Sequence, residues 1–295
     1  MGTFIRVTEI WTPNSDGTHL EFHDGIYGEL DHFRDLSSKV SFKYGDGLPG
    51  AAWKSREPVI LKTFEGSLFK RTAEAHEAGL TAAIAIPVFC GEFLKAVIVF
   101  LCGHVEELAG AIEVWEQTRS TELGLREGFY GDWEKFESLS KSLVFQRGRG
   151  LPGITWETGL PQIMGNLETS NSFLRAKVAA EAGIRTGIAI PFYTTGPLDT
   201  VLVFLSSTST PIAKRFEIWK PNEDHSRLCF EGGIEEESDT AEGANAENAI
   251  EFGEGPVGKT WATGVPRVEV DDTRQLLTIP IIQEGALNSV AVLYS

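Results

Sequence analysis

The sequence predicts an α+β fold in which one small unit, a sheet with helices packed on it, is used three times. The first sign is a tripeptide. Glu9-Ile10-Trp11 returns as Glu113-Val114-Trp115 and as Glu217-Ile218-Trp219, 104 residues apart each time. The second is a glycine-rich block, Phe42-Lys-Tyr-Gly-Asp-Gly-Leu-Pro-Gly50-Ala-Ala-Trp53. It returns as Phe145-Gln-Arg-Gly-Arg-Gly-Leu-Pro-Gly153-Ile-Thr-Trp156 and as Phe252-Gly-Glu-Gly-Pro-Val-Gly258-Lys-Thr-Trp261. The third is a closing pair of strand-like runs, Ala83-Ile-Ala-Ile-Pro87 with Ala96-Val-Ile-Val-Phe100, matched by Gly187-Ile-Ala-Ile-Pro191 with Thr200-Val-Leu-Val-Phe204. Six of the seven tryptophans occupy repeat-equivalent places, and Trp133 alone stands outside them.

Each copy reads in order as two strands, a short helix, a glycine-rich turn leading into a Trp-bearing turn of helix, a strand, an amphipathic helix and two strands. Ser172 to Ala182 carries the amphipathic helix, with Phe173, Ala176, Val178 and Ala180 on it and Gly183 as its C-cap. The spacings set the units at 1–104, 105–209 and 210–295, joined by connectors short enough that the copies should touch. The third copy is truncated. Trp53 to Pro87 spans 34 residues and Trp156 to Pro191 spans 35, but Trp261 to Pro280 spans only 19. The helix is what the deletion removes. The same copy gains an acidic loop, 231–251, with eight carboxylates and no basic residue, which reads as a solvated segment.

Composition narrows the function. A net charge of −16 argues against nucleic acid, which draws on clustered Lys and Arg. Three scattered cysteines (Cys90, Cys102, Cys229) and no N-glycosylation sequon suit a reducing, intracellular compartment. No apolar run reaches membrane-spanning length, and the N-terminus lacks a signal-peptide apolar region, so no membrane insertion is expected.

Several motifs imitate catalytic ones. Gly253 to Thr260 fits the P-loop pattern letter for letter. Pro256 removes one of the N–H groups a phosphate cradle needs, and the aligned positions in the other copies, Gly50-Ala51-Ala52 and Gly153-Ile154-Thr155, mark a structural turn. The Gly-x-Gly-x-x-Gly triplets follow no first strand of a βαβ unit. His19 and His23 lack a third ligand. No nucleophile–base pair, metal cluster or paired carboxylate recurs, so neither an enzyme, a metal nor a cofactor is expected.

The ordered string Gly-x-Gly-Leu-Pro-Gly-x-x-Trp, Phe-x-Arg, Ala-Gly-[Leu/Ile], Ala-Ile-Pro resembles bacterial-type GAF domains over nearly all of the first two copies. In the third, only the outer strands and Gly-x-x-Gly-x-x-Trp match. The resemblance implies an antiparallel sheet flanked by helices, with a small-molecule pocket between sheet and helix; Arg71 and Arg175 could face an anionic ligand there, but such an arginine more often ties its helix to a neighbouring carboxylate or carbonyl. A chain built only of such repeats, the last incomplete, also resembles the pyrenoid-shell proteins of diatom plastids. That likeness implies sheet assembly in the plastid stroma; without it a cytoplasmic location is expected.

Two functions follow as expectations. One is a non-catalytic scaffold whose partner is itself or another protein. Loss of a helix should bare an apolar sheet face built from Ile279, Ile281, Val290 and Val292, to be covered by copy one or two or by another chain, with Trp133 as a further contact. The other is a ligand-binding sensory or regulatory protein acting on a separate signalling partner. The remaining repeat-defining residues are read as structural: Trp11, Gly50, Trp53, Pro87, Trp115, Gly153, Trp156, Pro191, Trp219, Gly258, Trp261 and Pro280, with the tryptophans as core anchors.

Overall fold

A strand whose alternate residues are apolar on both sides needs two covers. The way each repeat finds its second cover determines the shape of this protein. The computed structural model describes residues 3–103, 110–193, 198–207, 210–235, 249–271 and 274–295. The first repeat runs β1 (Ile5–Pro13), β2 (His19–Ile26), α1 (Asp31–Ser37), β3 (Ser41–Lys43), α2 (Gly47–Ser55), β4 (Val59–Leu61), α3 (Thr72–Glu77), β5 (Leu80–Cys90) and β6 (Phe93–Gly103). The second repeats this order as β7 (Gly110–Arg119), β8 (Glu122–Phe129), α4 (Glu134–Ser142), β9 (Val144–Gln146), α5 (Gly150–Thr158), β10 (Gln162–Met164), α6 (Ala176–Ala182), β11 (Ile184–Phe192) and β12 (Thr200–Ser207). The third has β13 (Arg215–Pro221), β14 (Arg227–Glu235), β15 (Ala249–Glu251), α7 (Gly255–Thr263), β16 (Arg267–Val270), β17 (Gln275–Gln283) and β18 (Ala286–Tyr294).

Each repeat is therefore a six-stranded antiparallel sheet in the order β3-β2-β1-β6-β5-β4, with its counterparts in the other two. This is the α+β build, an antiparallel sheet flanked by helices, that the motif order implies. Only four residues separate β16 from β17, so the third repeat has no counterpart of α3 and α6. Of the acidic loop 231–251, residues 231–235 end β14 and 249–251 form β15, while 236–248 lie outside the described residues.

Alternation along the central strands divides two kinds of core. Val97, Val99 and Leu101 of β6 face their own helices, together with Trp11, Phe42 and Leu48. Ile98, Phe100 and Cys102, on the opposite face, enter a single cluster shared by all three sheets, with Ile188, Leu202 and Phe204 of the second repeat and Leu277, Ile279 and Leu293 of the third. Phe100 and Phe204 meet edge to face there, centroids 5.8 Å apart. Polar contacts join every pair of repeats. Arg126 donates to Pro58 O (2.8 Å), Asn288 to Gly159 O (2.9 Å) and Cys90 Sγ to Gly285 O (3.3 Å). The three sheets close on one another in a ring.

This packing corrects the expected bare face. β17 pairs with β18 so that Ile279 stands opposite Ala291, and Pro280 opposite Val290. With a side-chain period of two, Ile279 and Ile281 point to the shared cluster, whereas Val290 and Val292 point the other way. The latter pack beneath α7 with Trp219, Leu228 and Val257. All four are covered within the chain, at 4%, 4%, 0% and 0% exposure, so none of them offers an assembly surface.

The glycine-rich turn is one structure used three times. The N–H of Gly45, Gly148 and Gly253 donates to the carbonyl of Gly50, Gly153 and Gly258 at 2.8, 2.8 and 3.0 Å. A Cβ on the latter three would sit 2.2, 2.2 and 2.3 Å from the carbonyl oxygens of Lys43, Gln146 and Glu251. Backbone fills that space, and only glycine fits. The P-loop lookalike is this turn, and Thr260 Oγ1 is buried against Thr278 Oγ1 rather than facing a ligand.

Two expectations need adjusting. Strand pairing places Ile250 opposite Leu228, as Phe42 is opposite Leu20 and Phe145 opposite Leu123. Phe252 therefore matches Tyr44, not Phe42, because the glycine register and not the aromatic type sets the equivalence. The helix expected from Ser172 starts only at Ala176, because Ser170 Oγ takes the Ser172 N–H (3.2 Å) and holds the preceding residues in a turn. Its C-cap is as expected, with Gly183 left-handed at φ 69°.

Candidate functional site

The repeated Glu-x-Trp tripeptide places both side chains on one face of a strand, because i and i+2 point the same way. Trp11, Trp115 and Trp219 each donate Nε1–H to Oε2 of Glu9, Glu113 and Glu217, at 2.9, 2.9 and 2.8 Å. In the first two repeats the buried carboxylate also receives an arginine from the residue preceding a helix. Arg71 is bidentate on Glu9 (2.5 and 2.8 Å), and Arg175 is likewise on Glu113, with Nη2 at 3.0 Å. Ser37 and Ser140 accept a further hydrogen bond from these guanidinium groups. Aromatic rings box in the cations: Phe33 lies 4.9 Å and Phe69 5.3 Å from Arg71, and Phe136 lies 4.5 Å and Phe173 5.1 Å from Arg175. The Nε atoms of both arginines are buried without an oxygen partner. Rings surround these guanidinium groups on several sides.

Burial alone would raise the Glu9 carboxyl, but the charge and hydrogen bonds of Arg71 outweigh it and hold it below the ordinary carboxylate range. Burial likewise works against the Arg71 cation, and Glu9 more than offsets it. Burial and the adjacent carboxylates push the Tyr27 and Tyr130 phenols up. The sequence leaves Arg71 and Arg175 between a ligand contact and a tie from their helix to a neighbouring carboxylate, and the structure places them in the second role. Their charges are spent on Glu9 and Glu113.

The third repeat rebuilds this node without the helix. Arg215, two residues before Glu217 on β13, supplies Nε at 2.7 Å and Nη2 at 2.6 Å, and Tyr294 donates its hydroxyl at 3.1 Å. Burial and the Glu217 charge push the Tyr294 phenol up to about 12.

Trp133 is the residue that opens a site. It immediately precedes α4, in the place held by Leu30 before α1. Its indole meets Phe136 edge-on at 6.3 Å and lines an open groove of about 320 Å³ between α4 and α6. Asp132, Glu134, Lys135, Val178, Glu181 and Ala182 complete the lining. Around the ring axis the Ile-Pro pairs ending in Pro87, Pro191 and Pro280 come together, but the apolar cleft they leave holds only about 40 Å³.

A third kind of surface was missed in the sequence. The residue before the first glycine of each turn packs on the helix tryptophan: Tyr44 on Trp53 (5.2 Å), Arg147 on Trp156 (5.4 Å) and Phe252 on Trp261 (5.0 Å). Trp156 is buried, with Nε1 donating to Leu198 O (2.8 Å). Trp53 and Trp261 are only half-buried, which corrects their reading as core, and Tyr44 and Phe252 beside them are 57% and 62% exposed. The periodic Gly-minus-one position was the available signal.

Among the described residues no group of three or more His, Cys, Asp or Glu could hold a metal ion, and His19 instead pairs with Glu21 at 3.1 Å. Cys90, Cys102 and Cys229 form no disulfide, and burial pushes the Cys102 thiol up. No helix among the described residues is long and apolar enough to cross a membrane.

No family model matches this sequence, and no curated protein matches it. Solved structures similar to it include the GAF domain of A. aeolicus nlh2 in an inactive state, at 17% identity and TM-score 0.28 over 34% of this chain and 59% of that one. The GAF domain of a phosphoenolpyruvate-protein phosphotransferase from Coxiella burnetii matches at 16% identity and TM-score 0.29, over 34% and 58%. A Staphylococcus aureus NreA protein mutated in its nitrate binding site matches at 18% and 0.28, over 35% and 77%. The matched part is thus less than two thirds of the first two of these chains.

Proposed function

We propose that this chain is a non-catalytic, ligand-binding regulatory protein of three GAF-like units, 1–104, 105–209 and 210–295, that acts on a separate signalling partner. The observation that carries this reading is the Trp133 groove, whose volume of about 320 Å³ lies at the lower end of the usual range for small-molecule sites. The ring of sheets supports it indirectly, because it covers the apolar face on which the scaffold reading depended. A metabolite screen by thermal shift and native mass spectrometry tests it. A ligand that raises Tm in the intact chain, with the shift lost in Trp133→Leu, is expected; a screen in which nothing binds contradicts it.

A second reading keeps the chain as a self-assembling scaffold, with sheet- or shell-like assembly of the pyrenoid kind as its finer form. The exposed Tyr44–Trp53 and Phe252–Trp261 pairs favour it, since half-exposed aromatics mark contact surfaces. Their neighbours differ in charge between repeats: Asp46 and Glu254 in the first and third, Arg149 in the second. Unlike faces of this kind favour head-to-tail contacts. Light scattering and negative-stain microscopy across a salt series test it: salt-dependent growth lost in Phe252→Ser is expected, and a salt-indifferent monomer contradicts it.

A further inference from the structure

The second repeat differs from the first in one place where chemistry has been added. Leu30 becomes Trp133, and the helix behind it lengthens from seven residues in α1 to nine in α4. The floor of the resulting groove is apolar: Phe136 is buried, and Val178 and Ala182 are partly buried. Its rim carries three carboxylates, Asp132, Glu134 and Glu181, against one ammonium, Lys135. Lys135 Nζ lies 3.4 Å from Glu181, and its side chain is 83% exposed, so the pair is loose and readily displaced. An indole beside excess carboxylate attracts positive charge, and an anion there would meet repulsion from a chain of net charge −16.

Resting on the ligand-binding reading above, we propose that this groove takes a small organic cation of the alkyl- or quaternary-ammonium class. The charged head lies against the Trp133 indole between Glu134 and Glu181, and the hydrocarbon lies on Val178 and Ala182. Lys135 competes with the ligand for Glu181. The first repeat, with Leu30 in the aromatic position and His32 in that of Lys135, does not bind it.

Calorimetric titration of the full chain with choline, and with its neutral carbon isostere 3,3-dimethyl-1-butanol, tests the proposal. Choline binds saturably, and the isostere binds at least about tenfold more weakly. Trp133→Leu and Glu181→Gln each weaken choline by about fivefold or more, and Lys135→Gln tightens it. Glu181 is exposed, so its substitution serves even where the Trp133 variant fails to fold. Equal affinity for the isostere, unchanged affinity in Glu181→Gln, or no choline binding overturns the proposal. A neutral or anionic metabolite found in the same groove overturns the cation assignment and leaves the regulatory reading standing. Absence of any ligand removes both.

Discussion

The first two repeats and the third solve the same problem with different chain segments. In repeats one and two, a fully buried glutamate is neutralised by an arginine 62 residues further on, delivered at the start of a helix. In the third, that helix is gone and the arginine comes from two residues before the glutamate, on the same strand, its side chain still 25% exposed. Local cores differ accordingly. Among the described residues, seventeen and sixteen buried apolar residues lie under the helices of repeats one and two, but six lie under α7. What keeps the third repeat folded is the opposite face of its sheet, which the other two sheets cover. A domain can thus lose a layer when its second face is already committed to neighbours.

Substitutions sharpen this contrast. Arg175→Met leaves Glu113 charged and unpaired in the core and should cost about 3–5 kcal/mol, read from urea unfolding. Restoring an apolar pair with Glu113→Leu should recover much of it. Ile279→Ala opens a cavity in the shared cluster and should cost about 2–5 kcal/mol. Its effect should reach β6 and β12 in hydrogen exchange, whereas a third repeat that stood alone would confine the loss to β13–β18. Gly50→Ala, Gly153→Ala and Gly258→Ala meet the same backbone wall and should each cost about 1–3 kcal/mol. A much smaller cost at Gly258 would break the equivalence of the three turns.

Arg215→Ala should cost less than Arg175→Met, about 1–3 kcal/mol, because the arginine lost is itself partly exposed and the buried Glu217 retains Trp219 and Tyr294 as donors. The smallest effects are in pH dependence. Glu9 is held below its ordinary range, so its contribution is present above about pH 4 and is lost as pH falls through the depressed value. Tyr294, raised to about 12, contributes fully below about pH 10 and loses that contribution as pH climbs towards its folded value. Comparing Tyr294→Phe with the parent between pH 9 and about 12 isolates that loss.

Much of this was legible in the residues. The repeat, the sheet with helices on it, the glycine turn and the missing helix all show as spacing, because backbone constraints demand particular residues at particular places. Glu9 and Arg71 keep the separation of Glu113 and Arg175 simply because the unit repeats, and their pairing shows only in the structure. The sharing of faces was not. Ile279 and Val290 are both apolar, and only strand pairing shows that they point in opposite directions. Strands of three residues, such as β3 and β9, are too short to carry a period. The Trp133 groove depends on how α4 lies against α6, which no local pattern encodes.

Hydrogen exchange of the intact chain in rising urea, comparing β18 with β6 and β12, probes the dependence of the third repeat on the common core most directly. The three strands should open together, at one free energy and with one denaturant slope. If β18 instead exchanges through a separate low-energy opening while β6 and β12 stay protected, the third repeat does not depend on its neighbours in the way described.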